Sequence, residues 1–130
     1  MFDLVDDPVS IKLIREFHDA STMVSALCHG TATLLKVPLA DGTLLIRGQR
    51  VTGFSDQEEI DVDRQQDMPF HLEKALNTAS DGIYEKAPKA WGPKVFVTAN
   101  GKLLTRQNPA SAYPLAVEIL KVIQGAVEVL

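Results

Sequence analysis

The sequence predicts one α/β domain, residues 1–130, built on a largely parallel sheet with a hairpin near its C-terminus. Three observations predict it. Short apolar, strand-like runs alternate with stretches of helical periodicity, the pattern of a layered α/β fold. One of those runs, Met23 to Cys28, ends at His29 and Gly30 and leads into a helix-like stretch. Ala99, Asn100 and Gly101 separate two further apolar runs, a hairpin signal because Asn-Gly accepts the positive φ of a type I′ turn.

In chain order, Asp7 followed by Pro8 predicts a helix start, with an N-cap acceptor and a proline whose missing N–H costs nothing in the first turn. Val9, Leu13, Ile14 and Phe17 supply an apolar stripe to about Ala20. A strand over residues 22–27 follows, then a helix from about Gly30 to Lys36, closed by Pro38. Asp41-Gly42 and Gly48 are turn signals on either side of Leu44, Leu45 and Ile46, and Val51 to Phe54 reads as a short strand. Ser55 opens an acid-rich helix start with Asp56, Glu58 and Glu59, where the helix dipole favours negative charge. A helix restarting at Met68-Pro69 buries Phe70, Leu72, Ala75 and Leu76. Residues 95–97 and 102–105 form the hairpin strands, and a helix from Ser111 to Ile123 places Leu115, Ile119, Val122 and Ile123 on one side.

Composition narrows the function classes. The 130 residues are 45% hydrophobic and 23% charged, enough for one domain and one core. A net charge of −4 and the absence of any Lys/Arg cluster interleaved with aromatics argue against a nucleic-acid partner. No apolar stretch approaches a membrane span, and the acidic N-terminus is unlike a secretory signal, so a cytosolic or nuclear protein is expected. One cysteine and three scattered histidines offer neither a disulfide nor a zinc-type spacing.

The chemistry concentrates at Cys28, His29 and Gly30. A strand that ends in a tight turn and feeds a helix holds the turn residue in a strained conformation with its side chain exposed above the sheet, the layout of a nucleophile elbow. The helix N-terminus there favours thiolate over thiol, and glycine at position 30 suits close backbone approach. A lone cysteine is as often a small buried hydrophobe. The adjacent histidine tips the balance, because a base beside a thiol has an obvious chemical use. Glu58 and Glu59 have a bland reading as well, the solvated first turn of a helix.

Ala26-Leu27-Cys28-His29-Gly30, then Val51-Thr52-Gly53-Phe54-Ser55-Asp56 with Glu58-Glu59, then Asn108-Pro109-Ala110-Ser111-Ala112 resemble, in order and spacing, the DJ-1/PfpI superfamily and most closely its Hsp31-like branch. The resemblance implies a flavodoxin-like α/β/α sandwich, usually a homodimer, with no metal or organic cofactor. It assigns Cys28 as nucleophile, His29 as base, Gly30 to the elbow and oxyanion hole, and Glu59 as the acid that orients the histidine, with Glu58 the alternative register. It implies glutathione-independent glyoxalase activity on a small 2-oxoaldehyde, methylglyoxal to D-lactate, also called D-lactate dehydratase, with a stress-related chaperone role. The chain is similar to the C-terminal half of such a protein. The first strands of the sheet, an acidic residue that contacts the cysteine and a Gly-rich oxyanion loop precede the position of Met1 in the family, and Thr31 stands where a proline is common. The 130-residue form is therefore expected to be catalytically weak or inactive.

Two rival functions have their own sequence support. His71-Leu72-Glu73 matches the His-x-Glu string that class I glutamine amidotransferases pair with an elbow cysteine, although it lies in an amphipathic run. A non-enzymatic redox sensor or chaperone needs only an oxidisable Cys28 and exposed apolar surface. His18 near the end of the first helix reads as a C-terminal dipole partner, and Trp91, between Ala90 and Gly92-Pro93, either lines a pocket or packs a loop, with loop packing the preferred reading.

Overall fold

The structure is a computed structural model that describes residues 1–125. Its centre is a three-stranded mixed sheet in the order β1-β3-β2, where β1 is Val24–Leu27, β2 Val95–Thr98 and β3 Leu103–Arg106. β1 runs parallel to β3, with Val24 opposite Leu103 and Leu27 opposite Arg106, and β2 runs antiparallel to β3. The expected α/β architecture is present, with one parallel and one antiparallel pairing around the central strand.

Helix α1, Pro8–Asp19, starts as predicted: the Asp7 carboxylate caps it by accepting from the Ser10 N–H at 2.7 Å. Its apolar stripe closes only in part. Ile14 reaches the core, whereas Val9, Leu13 and Phe17 are each at least half exposed.

After β1 the chain enters a 3₁₀ segment, Cys28–Leu34, where an α-helix over residues 30–36 was expected. Two threonines account for the tighter winding. Thr31 Oγ1 donates to the Cys28 carbonyl and Thr33 Oγ1 to the Gly30 carbonyl, both at 2.8 Å, so hydroxyls engage the carbonyls three residues back. Of its own residues, Thr31, Ala32 and Leu34 are buried.

Val51 to Phe54 is not a ladder strand as expected. Val51 makes a single parallel bridge to Tyr84, and the Thr52 N–H is taken by the Thr105 hydroxyl at 3.1 Å rather than by a neighbouring main chain. The segment is nonetheless fully buried against β3 and beneath the 3₁₀ segment. Gly53 allows this approach: a Cβ there would lie 2.3 Å from Thr31 Oγ1 and 2.5 Å from Leu76 Cδ1. Tyr84 fixes the same point by donating to the Gly53 carbonyl at 3.1 Å.

Helix α2, Asp56–Asp61, begins with a capping box in which Ser55 and Glu58 satisfy one another's main-chain N–H groups. Helix α3, Leu72–Ala79, starts later than predicted. Met68, ahead of Pro69, is extended, and His71 at the N-cap is extended as well, so only Leu72 onward winds, burying Leu72 and Leu76.

The β2–β3 hairpin turns on Ala99, Asn100 and Gly101, all left-handed. The Gly101 N–H donates to Thr98 O, so the central pair is Ala99-Asn100 rather than Asn100-Gly101, and Gly101 adds a third left-handed residue before Lys102.

Helix α4, Ala112–Ile123, follows a 3₁₀ turn, Pro109–Ser111. Its predicted buried side does not close: none of its residues is buried, Leu115, Ile119 and Val122 are half-buried, and Ile123 is exposed. The core is instead made of Ala32, Leu34, Val37, Ile46, Val51, Leu76 and Leu103 between β1, the 3₁₀ segment and α3.

Candidate active site

The strand-to-3₁₀ junction forces Cys28 into the left-handed region at φ 59°, where a non-glycine residue is strained. This is the backbone signature of an elbow. Gly30 does not supply it: its φ is ordinary, and a Cβ added there meets open space. The glycine that close approach requires is Gly53, one layer below.

The elbow brings Cys28 and His29 together and turns His29 toward α2. Cys28 Sγ lies 3.5 Å from His29 Nδ1, and His29 Nε2 is hydrogen-bonded to Glu59 Oε1. A carboxylate can only accept, so Nε2 carries the hydrogen and Nδ1 presents a lone pair to the thiol. The Glu59 side chain is only 6% exposed and the His29 ring 37%, so the carboxylate is held inside while the imidazole meets solvent. Glu59 Oε2 is buried and has no partner among the described residues.

Charge at the thiol departs from expectation. The helix terminus was expected to favour thiolate, but burial pushes the Cys28 thiol up to about 11, with Glu58 and Glu59 adding repulsion against the His29 N–H that pulls the other way. A seven-residue 3₁₀ segment is too short a dipole to outweigh desolvation and two nearby carboxylates.

Glu58 has a different task from its neighbour. Completely buried, it accepts from the Ser55 N–H and Oγ through Oε2, and from the Trp91 N–H, Gln107 Nε2 and Asn108 Nδ2 through Oε1. Burial raises its proton affinity, and these donors, led by the Ser55 N–H and the Asn108 amide, outweigh it and hold the carboxyl below its usual range. The Asn108 to Ala112 motif thereby has a physical role: Asn108 clamps both Glu58 and the Gly92 carbonyl, while Ser111 Oγ donates to Asn108 Oδ1.

Two aromatic residues join the site: Phe54, which the sequence placed only in a strand, and Trp91, for which loop packing was preferred over pocket lining. The Phe54 ring packs on His29 with centroids 4.4 Å apart, and Trp91 meets Phe54 edge-on at 5.6 Å. Phe54 lies inside the motif Val51 to Asp56, which was the available signal; Trp91 gave none beyond its Gly-Pro flank.

His71 is engaged elsewhere. Its Nδ1 faces Asp56 Oδ2 at 3.4 Å, and Glu73 accepts from the Asp56 N–H and from Lys86. His71 also lines a cleft of about 910 Å³ with Leu35, Arg47 and Phe70, a cleft to which Cys28, His29 and Glu59 do not contribute.

Fold and site define the class: an α/β fold of the DJ-1/PfpI type, carrying a cysteine in a strained strand-to-3₁₀ turn with a histidine and a carboxylate in line. Two curated relatives carry glyoxalase names. The chain is 31% identical over 119 residues to "Probable glutathione-independent glyoxalase hsp3103" of Schizosaccharomyces pombe, covering 86% of this chain and 44% of that protein. It is 28% identical over 127 residues to "Glyoxalase 3" of Candida albicans, covering 92% of this chain and 52% of that one. Among solved structures it superposes on the Rapid Encystment Protein 24 KDa of Francisella tularensis with a TM-score of 0.83 at 30% identity, over 98% of this chain and 53% of the other. It superposes on glyoxalase III of Candida albicans with a TM-score of 0.76 at 25% identity, over 98% and 52%. The chain thus spans about half the length of the relatives it matches. No protein-family model matches it. No helix among the described residues is long and apolar enough to cross a membrane.

Proposed function

We propose that Cys28, His29 and Glu59 are the nucleophile, base and orienting acid of a glutathione-independent glyoxalase site acting on a small 2-oxoaldehyde such as methylglyoxal. The observation that carries this reading is the line of contacts from Cys28 Sγ through the two ring nitrogens of His29 to Glu59, set on a left-handed cysteine.

The resting thiol is protonated, so attack begins with proton transfer from Cys28 to His29 Nδ1, and Glu59 stabilises the imidazolium through Nε2. The sulfur then bonds to the aldehyde carbon and the carbonyl oxygen takes a proton, giving a hemithioacetal. The His29 base removes the hydrogen from that carbon to form an enediol and returns a proton to the adjacent carbon, the former ketone, which yields a thioester. Water cleaves the thioester to lactate and restores the thiol. The atoms balance as one aldehyde plus one water per lactate, with no oxidant and no cofactor. The main-chain N–H after the nucleophile, that of His29, is the elbow's own donor to the developing oxyanion.

Incubation of the purified chain with methylglyoxal, with D-lactate measured enzymatically, tests the proposal. Formation of D-lactate that disappears in Cys28→Ser and His29→Ala supports it; formation that survives Cys28→Ser sinks it. A redox-sensing role is less favoured, since oxidation follows thiolate character and burial suppresses it at Cys28. The amidotransferase reading is less favoured, because His71 faces Asp56 in a cleft that Cys28 does not line, and Glu73 accepts from the Asp56 N–H and Lys86.

A further inference from the structure

We propose that Trp91 is a positioning residue for His29, acting through Phe54 and itself pinned by Glu58. The inference rests on His29 serving as the base for Cys28.

Among the described residues, seven other than glycine adopt a positive φ, and Trp91, at 65°, is the one bulky side chain of the set. Ser21, Asp63, Asp81, Ala99 and Asn100 are small or turn-forming, and Cys28 is the elbow itself. A large aromatic residue in the left-handed region is a costly choice where glycine or asparagine would suit the backbone. Such strain persists only where the surroundings over-determine it.

Three contacts do so. The Trp91 N–H donates to buried Glu58 Oε1 at 2.9 Å, the indole Nε1–H donates to Asp61 Oδ2 at 2.9 Å, and Asn108 holds the next carbonyl, that of Gly92, at 2.8 Å. Main chain and ring are therefore fixed separately, both to α2 or to the carboxylate that caps it. Gly92 makes the loop tight as well, since a Cβ there would lie 3.0 Å from the Lys89 carbonyl. The fixed ring abuts Phe54 edge-on, and Phe54 lies against the imidazole.

His29 needs that support. Glu59 fixes Nε2 but leaves the ring free to pivot about this hydrogen bond, and its Nδ1 is 3.5 Å from the thiol. Phe54 closes one face of the ring, and Trp91 backs Phe54. The two adjacent glutamates of α2 thus serve one imidazole by different routes, Glu59 directly and Glu58 through the tryptophan loop.

The chain contains one tryptophan and one cysteine, so both ends of the relay can be read without ambiguity. Trp91→Ala and Trp91→Phe are made in the full chain, with folding checked by far-UV circular dichroism. The readouts are the His29 Hε1 resonance, assigned with His29→Gln, and the alkylation rate of Cys28 by iodoacetamide at fixed pH. Trp91→Ala is expected to shift the resonance and slow alkylation about tenfold, a fraction of the 10²–10⁴ that a positioned base contributes. Trp91→Phe, which keeps an edge for Phe54, is expected to restore the rate to within about twofold of the parent. A folded Trp91→Ala with parental resonance and rate would overturn the proposal, as would a Trp91→Phe as impaired as the alanine variant. Should Trp91→Ala not fold, nuclear Overhauser contacts from the indole to Phe54 and from Phe54 to His29 Hε1 in the parent decide it, and their absence overturns it. Methylglyoxal turnover enters none of these readouts, so failure of the glyoxalase reading is seen separately.

Discussion

His29 and Glu59 lie 30 positions apart in sequence and meet through Nε2 and Oε1, which leaves the other ring nitrogen facing Cys28. One hydrogen bond thereby chooses the tautomer and, in the proposed reaction, the direction of proton flow. Whatever methylglyoxal turnover the 130-residue form retains, Glu59→Ala is expected to lower it by about 10²–10⁴, because a base in the wrong tautomer contributes little. Glu59→Gln retains an acceptor for Nε2 but not the charge that stabilises the imidazolium, and is expected to fall between parent and alanine. Initial rates of D-lactate formation check the order; a Glu59→Ala at parental rate contradicts it.

Burial of Cys28 predicts an unusual pH profile. Its folded-state value of about 11 lies above the ordinary 9.0, so the folded protein keeps a proton that the unfolded chain gives up. Alkylation by iodoacetamide should therefore rise with pH to a midpoint near 11 in the native protein and near 9.0 in denaturant. The same sign makes stability fall as pH climbs from the unfolded toward the folded value. The decline in urea midpoint over that window should be steeper in the parent than in Cys28→Ser. A native alkylation midpoint at or below the ordinary value refutes the prediction.

Glu58 is expected to dominate acid sensitivity. Its carboxyl is held below the usual 4.5, so its stabilisation is present above that value and is lost as pH falls through the folded-state value. Asn108→Ala, which removes one charge-assisted donor from the buried carboxylate, should cost about 1.5–3 kcal/mol. Urea titrations at neutral pH and in increasing acid measure both, with the mutational cost shrinking once pH falls through the folded-state value. An unchanged midpoint for Asn108→Ala would show that the cluster adds nothing.

Gly53→Ala is expected to destabilise the fold by about 1–3 kcal/mol, the usual penalty for forcing volume into a packed core. The added methyl would press on Thr31 Oγ1 and Leu76 Cδ1, and Thr31 braces the Cys28 carbonyl. The effect should thus appear twice, in a lowered thermal midpoint and in altered Cys28 reactivity below it. A variant as stable as the parent would mean that the layers can part without cost.

Much of this arrangement was legible in the sequence because the signals were local. Asp7-Pro8 capped its helix, Ser55 opened the acid-rich start of another, and Asn100-Gly101 marked the hairpin. The pair of Glu59 with His29 followed from the family resemblance rather than from any spacing. What remained hidden depended on contacts between distant segments. The Thr31 and Thr33 hydroxyls tightened a predicted α-helix into 3₁₀, Thr105 captured the N–H of a predicted strand at Thr52, and burial reversed the expected effect of the helix terminus on Cys28. The Trp91–Phe54–His29 row joins three segments that no periodicity links.

The parallel pairing of β1 with β3 also sets an order of events in time. β2 and β3 are neighbours across a tight turn and can zip early, whereas Val24 must wait for Leu103, near the other end of the chain. Closing so long a loop is entropically expensive and is deferred until local structure exists to reward it. Cys28 hangs directly on β1, so the strained elbow is among the last features to be born. Until β3 pairs with β1 the thiol is therefore expected to behave as an ordinary, flexible cysteine, and a slow hairpin turn at Ala99-Asn100 would delay the appearance of the site without changing a single residue in it.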